Sequence, residues 1–208
     1  AIEPWVAMAL AAQAAFGLRR KEAVCLVPQD DALPGLNALA ITRGTKGGRA
    51  RIVRLHSPWQ RDILDLLVEF CRGQDSRHAH LGGPRAGLKA NLARYSRVLA
   101  RLGITRDLGG VTGHGLRADY ACRLLQTAGV TPTIKGGSGR AATQQQTDWA
   151  YRCVSEALGH SRRRILAAYC GPEAGACIDD PGGRSGDAAA SADPVEEARI
   201  LACVRRLL

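Results

Sequence analysis

One stretch of this chain, ALAITRGTKGGRARIVRL (38–55), runs in two short alternating segments around a glycine-rich centre at Gly44 to Gly48. That is the pattern of two strands joined by a loose basic turn. The other patterned segments recur at helical spacing. In PWQRDILDLLVEFCR (58–72), Ile63, Leu66, Leu67 and Phe70 fall on one helical face. A hairpin set among helices predicts a mainly α architecture with a small antiparallel sheet, an α+β fold. The supply of core residues agrees. Some 46% of the 208 residues are hydrophobic but only nine are Phe, Trp or Tyr, so the interior is aliphatic, which favours helices over sheets.

Further helices are expected along the chain. Residues 4–15 are Ala-rich, and FGLRRKEAVCLVP continues as a helix started at Gly17 and ended by Pro28. Another covers Leu88 to Leu102, and HGLRADYACRLLQTAG (114–129) gives the next, ending at Gly129. Residues 130–146 read as a loop. A helix from Asp148 to Leu158 breaks at Gly159, and Ser161 caps the one that carries Tyr169. From Gly171 to Asp193 the composition turns to Gly, Ala, Asp and Ser, a linker. Residues 194–208 form an amphipathic helix, with Ile200, Leu201, Val204, Leu207 and Leu208 on one stripe. That stripe needs a groove to dock in, on its own core or on a neighbour.

Lys and Arg exceed Asp and Glu by ten, a balance suited to a polyanionic partner. The seven cysteines (25, 71, 122, 153, 170, 177 and 203) are odd in number and contain no C-x-x-C pair. They read as reduced thiols of a cytosolic protein, without zinc-ligand spacing. The opening AIEPWVAMALAAQAAFGLRR has no basic leader region, and its apolar run is too short for a membrane span. It begins as if cut from something longer.

Four short motifs follow one another: FGLRRKEA, TKGGRARIVRL, HGLRADYA and LGHSRRRILAAYCG. In this order and spacing they resemble the catalytic domain of the tyrosine recombinases, the phage-type integrases. The resemblance spans about residues 5 to 171 and implies a domain over 1–170. It assigns six catalytic residues: Arg19, Lys46, His114, Arg117, His160 and Tyr169. Arg20, Arg49, Arg51, Arg162 and Arg163 around them are expected to contact DNA. In this family the tyrosine attacks a DNA phosphodiester, leaving a 3′-phosphotyrosyl link and a free 5′-hydroxyl, and a second 5′-hydroxyl reverses the step. The bond energy stays in the covalent link, so the resemblance implies neither a metal nor a nucleotide cofactor.

The residue types suit that chemistry. Two guanidiniums can meet the charge that develops on the non-bridging oxygens. His114 and Arg117, three apart, share a helical face. A lysine on a turn can protonate the leaving oxygen. Double-stranded DNA, with self-association on it, is the expected partner, and a bacterial cytoplasm with its nucleoid the expected location. Departures from the family pattern are Ala118, where a His often follows the H-x-x-R box, and the long 130–146 loop. The family's amino-terminal helical domain, which clamps the other face of DNA, is expected to be absent from this chain. A member that binds DNA without cutting it, and a basic helical protein for RNA, are the alternative readings.

Overall fold

The interior is organised around a helix that has no solvent face. In the computed structural model, which describes residues 3–74, 80–83, 86–105, 112–137, 142–160 and 163–171, helix α1 (Pro4–Phe16) is apolar on every side. Residues from Trp5 to Phe16 are buried along it, apart from Leu10, which is partly so. A helix of that composition must be covered all round. Helices α2 (Arg20–Cys25), α4 (Pro58–Arg72) and α6 (Gly113–Thr127) pack against it. Pro4 starts it, where a missing N–H costs nothing.

Gly17 ends α1 in the left-handed region, φ 61°, and its N–H returns to the Gln13 carbonyl at 3.0 Å. The ring of Tyr120 lies against it, so closely that a Cβ on Gly17 would sit 2.2 Å from Tyr120 Cδ1. Both the backbone angle and the space demand glycine here. Gly17→Ala is therefore expected to destabilise the fold by at least about 2 kcal/mol. Thermal unfolding checks it, and an unchanged melting temperature would show that Tyr120 can step aside.

The expected helix up to Pro28 is shorter. Helix α2 stops at Cys25 and Leu26 is extended. The residue before a proline is pushed out of the α region, so the chain leaves the helix ahead of Val27. Pro28 then opens the short α3 (Pro28–Asp31). The hairpin forms as expected from β2 (Ala38–Ile41) and β3 (Arg51–Arg54), with Leu39 opposite Val53 and Ile41 opposite Arg51. A third strand the pattern did not reveal, β1 (Ala32–Leu33), pairs antiparallel with β2. Two residues are too few to show an alternation.

Helix α4 is capped by Ser57 and buries Ile63 and Leu67, while Leu66 and Phe70 flank the core. Helix α5 (Leu88–Arg101) packs on α2 and buries Asn91, Tyr95, Val98 and Leu99. The loop predicted for 130–146 holds a 3-10 turn at Thr133–Lys135, and α7 (Gln144–Ala157) begins four residues before the expected Asp148. The polar run TQQQ is a capping box, with the Thr143 hydroxyl accepting from Gln146 N. Helix α7 packs on α6 and on β3. A 3-10 turn (Arg163–Leu166) leads into α8 (Ala167–Cys170), which lies on α6. Among the described residues no helix is long and apolar enough to cross a membrane, and Cys25, Cys71, Cys122, Cys153 and Cys170 are free thiols. The Ser161 cap, the linker beyond Gly171, the terminal helix, Cys177 and Cys203 lie outside the described residues.

Candidate active site

Three chain ends meet beside α6: the turn after α1, the C-terminus of α7, and α8. Thr112 caps α6, its hydroxyl accepting from Gly115 N at 3.1 Å. This sets His114 and Arg117 on the turn that faces the other two. Arg117 is 2% exposed. Its Nη1 donates to the Gly17 carbonyl and its Nη2 to the Leu158 carbonyl, at the ends of α1 and α7. The left-handed Gly17 turn presents the first of these. Arg117 Nε is buried and has no hydrogen-bond partner, and among the described residues Arg117 forms no ion pair.

A buried cation without a counter-charge is costly. Burial, and then Arg19 and Arg51, pull the Arg117 pKa down to about 10, with the Tyr169 hydroxyl working the other way. It remains a cation at neutral pH.

Helix α7 ends at Gly159, φ 65°, and His160 N donates back to Ser155 O at 2.8 Å. This places His160 Nε2 3.4 Å from Arg117 Nη2. Since a guanidinium only donates, Nε2 accepts and the ring proton belongs on Nδ1. Burial lowers the His160 pKa to about 4, assisted by Arg117, Arg19 and Arg51 and opposed by Glu22. The folded ring is thus harder to protonate than the unfolded one. Its contribution to stability is complete above about pH 6.5 and is lost as pH falls towards 4. An NMR titration of the ring is expected to give a midpoint of about 4; a midpoint near 6.5 would mean that neither burial nor the three cations act on it.

Tyr169 packs among these groups. Its ring centroid lies 4.8 Å from that of His114 and 5.6 Å from that of His160, and the Arg117 guanidinium carbon is 5.8 Å from it. The backbone of α8 is held from two sides. Cys122 Sγ on α6 donates to Tyr169 O at 3.7 Å, and Thr133 Oγ1 donates to Cys170 O at 3.2 Å. Thr133 is where the long 130–146 segment acts: it braces the end of the tyrosine helix.

Arg19, Arg20, His114, Arg117 and Tyr169 line one cavity of about 420 Å³. Arg19 caps α2 and is anchored by Glu22, whose carboxylate accepts from Arg19 N at 2.7 Å and from Arg19 Nη1 at 2.8 Å. Arg20 is exposed and donates to Ser96 Oγ on α5 at 2.8 Å. A second concavity, of about 570 Å³, adjoins His160 and is lined by Arg49, Ile52, Arg54, Glu156 and Gly159. Arg49 is exposed there.

Lys46 is not gathered into the cavity. It is exposed on the 3-10 turn Lys46–Gly48 at the tip of the hairpin, with no hydrogen bond or ion pair among the described residues. Arg162 and the side chain of Arg163 lie outside the described residues.

Arg51 departs from its expected place on a DNA-facing surface. Alternation along β3 turns Arg51 and Val53 inward, leaving Ile52 and Arg54 outside. Arg51 Nη1 and Nη2 donate to the two Glu22 oxygens at 2.8 and 2.7 Å, and Nε donates to Ala157 O at 2.8 Å. It is a strut between α2, β3 and the end of α7. Glu22, which appeared in the first motif without a role, proves to be the centre of this network. Burial on its own would raise its pKa, but Arg51, followed by Arg19, holds the carboxyl at about 2.

An Integrase family model matches residues 1–123, the part of the chain that carries Arg19, Lys46, His114 and Arg117. His160 and Tyr169 fall beyond the matched region. No curated protein and no solved structure matches the chain. The family match spans more than half of the 208 residues, and the chain belongs to the integrase family.

Proposed function

We propose that this chain cuts and rejoins duplex DNA through a covalent bond between Tyr169 and a strand's 3′-phosphate. The observation that carries this reading is Arg117: a buried guanidinium, beside a tyrosine and two histidines, with no carboxylate paired to it among the described residues. A phosphodiester is an anion of the right size and geometry for such a group. Tyr169 Oη attacks phosphorus, its proton passes to water, an O–P bond to the tyrosine forms and the P–O5′ bond breaks. Arg117 and Arg19 take up the charge that develops on the non-bridging oxygens. His114 beside the ring, and neutral His160 through its Nδ1–H, are assigned hydrogen bonds to phosphate oxygens. Lys46, at the exposed hairpin tip, is assigned the protonation of the departing O5′ where the strand crosses the turn. Return attack by a 5′-hydroxyl on the phosphotyrosine rejoins DNA, which needs no external energy source. Arg20 and Arg49 bind neighbouring phosphates, so affinity falls steeply with salt.

A pool of random-sequence duplexes, each nicked so that the cleaved end diffuses away, tests this. DNA that stays attached to protein after denaturation is expected, with the modified peptide mapping to Tyr169. Attachment at another residue would remove Tyr169 from its role. Tight duplex binding with no attachment would make the chain a DNA-binding member that does not cut.

A further inference from the structure

Gln13 is the one amide in an otherwise apolar helix, and it is fully buried. Burying an amide costs roughly 1–3 kcal/mol unless its hydrogen bonds are met, and a Met or Leu would fill the same space without that cost. The bonds it makes are therefore informative. Oε1 accepts the Tyr95 hydroxyl from α5, and Nε2 donates to the Leu18 carbonyl at 3.2 Å. The orientation is unambiguous, because a carbonyl can only accept. The amide also presses on the start of α6, where a Cβ on Gly113 would lie 2.8 Å from Nε2. Leu18 precedes Arg19, and Gly113 precedes His114. Tyr95 is 3% exposed, and burial raises its pKa, which keeps the hydroxyl a donor. Both residues line the same cavity as Arg19, His114 and Arg117.

We infer that Gln13 and Tyr95 are a positioning pair: the amide, locked by the tyrosine hydroxyl, holds the Leu18–Arg19 turn against the first turn of α6. Arg19 and the His114–Arg117 pair, which come from separate helices, are thereby aimed into one cavity. The assignment rests on the proposed reading, in which these groups act on one phosphate. Neither Gln13 nor Tyr95 touches DNA in it.

Three full-length variants separate this role from plain structural support: Tyr95→Phe, which removes only a hydroxyl; Gln13→Met, which keeps the volume; and Gln13→Glu. With a duplex recovered from the nicked pool, Tyr95→Phe and Gln13→Met are expected to slow attachment by about 10- to 100-fold at saturating DNA. The half-saturating DNA concentration should stay within about twofold, the sign of a lost transition-state interaction. Gln13→Glu can donate to the Leu18 carbonyl only when protonated, so its rate relative to the parent should recover as pH falls from about 8 to 6. The Arg19 Nε–H and His114 ring resonances of the labelled protein, followed as inorganic phosphate is added, should shift in all three variants. Parent-like rates with unmoved resonances overturn the pair. So do losses that disappear when each variant is assayed at the same interval below its own melting temperature. If the parent protein attaches to no DNA, the recombinase reading falls, and the resonances alone decide whether the pair positions Arg19 and His114.

Discussion

Tyr169→Phe is expected to abolish covalent attachment to DNA while leaving the fold and duplex affinity nearly unchanged. The separation is this clean because the ring and the hydroxyl do different things. The ring fills the space between His114 and His160, and phenylalanine keeps it there. Helix α8 is held by backbone acceptors, the Tyr169 and Cys170 carbonyls, which the substitution does not touch. The hydroxyl acts on Arg117, and when it is removed that guanidinium keeps the Gly17 and Leu158 carbonyls as acceptors. On the proposed reading only the nucleophile is lost. Residual attachment at the parent's rate would mean that another residue attacks, and a fall of many degrees in melting temperature would mean that the hydroxyl is structural.

Glu22→Ala is expected to cost about 3–5 kcal/mol, because it strands the Arg51 guanidinium in the interior without its partner. Arg51 and Glu22 are 4% and 0% exposed at the side chain. In a domain of this size that loss lowers the melting temperature by roughly 10 °C. Attachment to DNA should fall as well, since Arg19 loses both bonds that fix it at the start of α2. Glu22→Leu combined with Arg51→Leu tells the two effects apart. An apolar pair of similar volume can replace a buried ion pair at little cost, so stability should largely return while attachment stays low. Recovery of both would show that Arg19 needs no anchor. Acid makes the same point without mutation. The folded carboxyl titrates at about 2 against an ordinary 4.5. Its contribution, about 3 kcal/mol, is intact above pH 4.5 and drains away as pH falls towards 2.

What could be read from the chain beforehand, and what could not, follows from range. Helices α4, α5 and α6 were visible because each is long; α4 shows apolar residues at helical spacing, and Gly129 marks the end of α6. The hairpin was visible from alternation alone. Strand β1 was too short for any pattern, and the start of α7 was hidden because Thr143 and Gln146 read equally as loop or as cap. Within the site, the three-residue spacing of His114 and Arg117 put them on one face whatever the tertiary structure. The convergence of Arg19 and Tyr169 on them came only from motif order. Arg51 was misread because a basic residue beside a glycine-rich turn suggests a surface. Its phase with Val53 was the signal that pointed inward, and the buried carboxylate that permits this lies 29 residues earlier. Gln13 offered a similar hint, an amide where an apolar helix had no use for one.

The two carbonyls that hold Arg117 have a consequence for how the protein is made. One lies 100 residues before it in the chain and the other 41 after it. Chains emerge from the ribosome amino terminus first, and segments that can fold do so in that order. Helix α1 and the sheet are available early, yet the Leu158 carbonyl, His160 and Tyr169 arrive only when nearly all of the described domain has been synthesised. Closing loops of that length is entropically unfavourable until packing offsets it. A nascent chain therefore holds its arginines well before it holds a formed pocket or Tyr169, and on the proposed reading it can be drawn to nucleic acid before it could cut it.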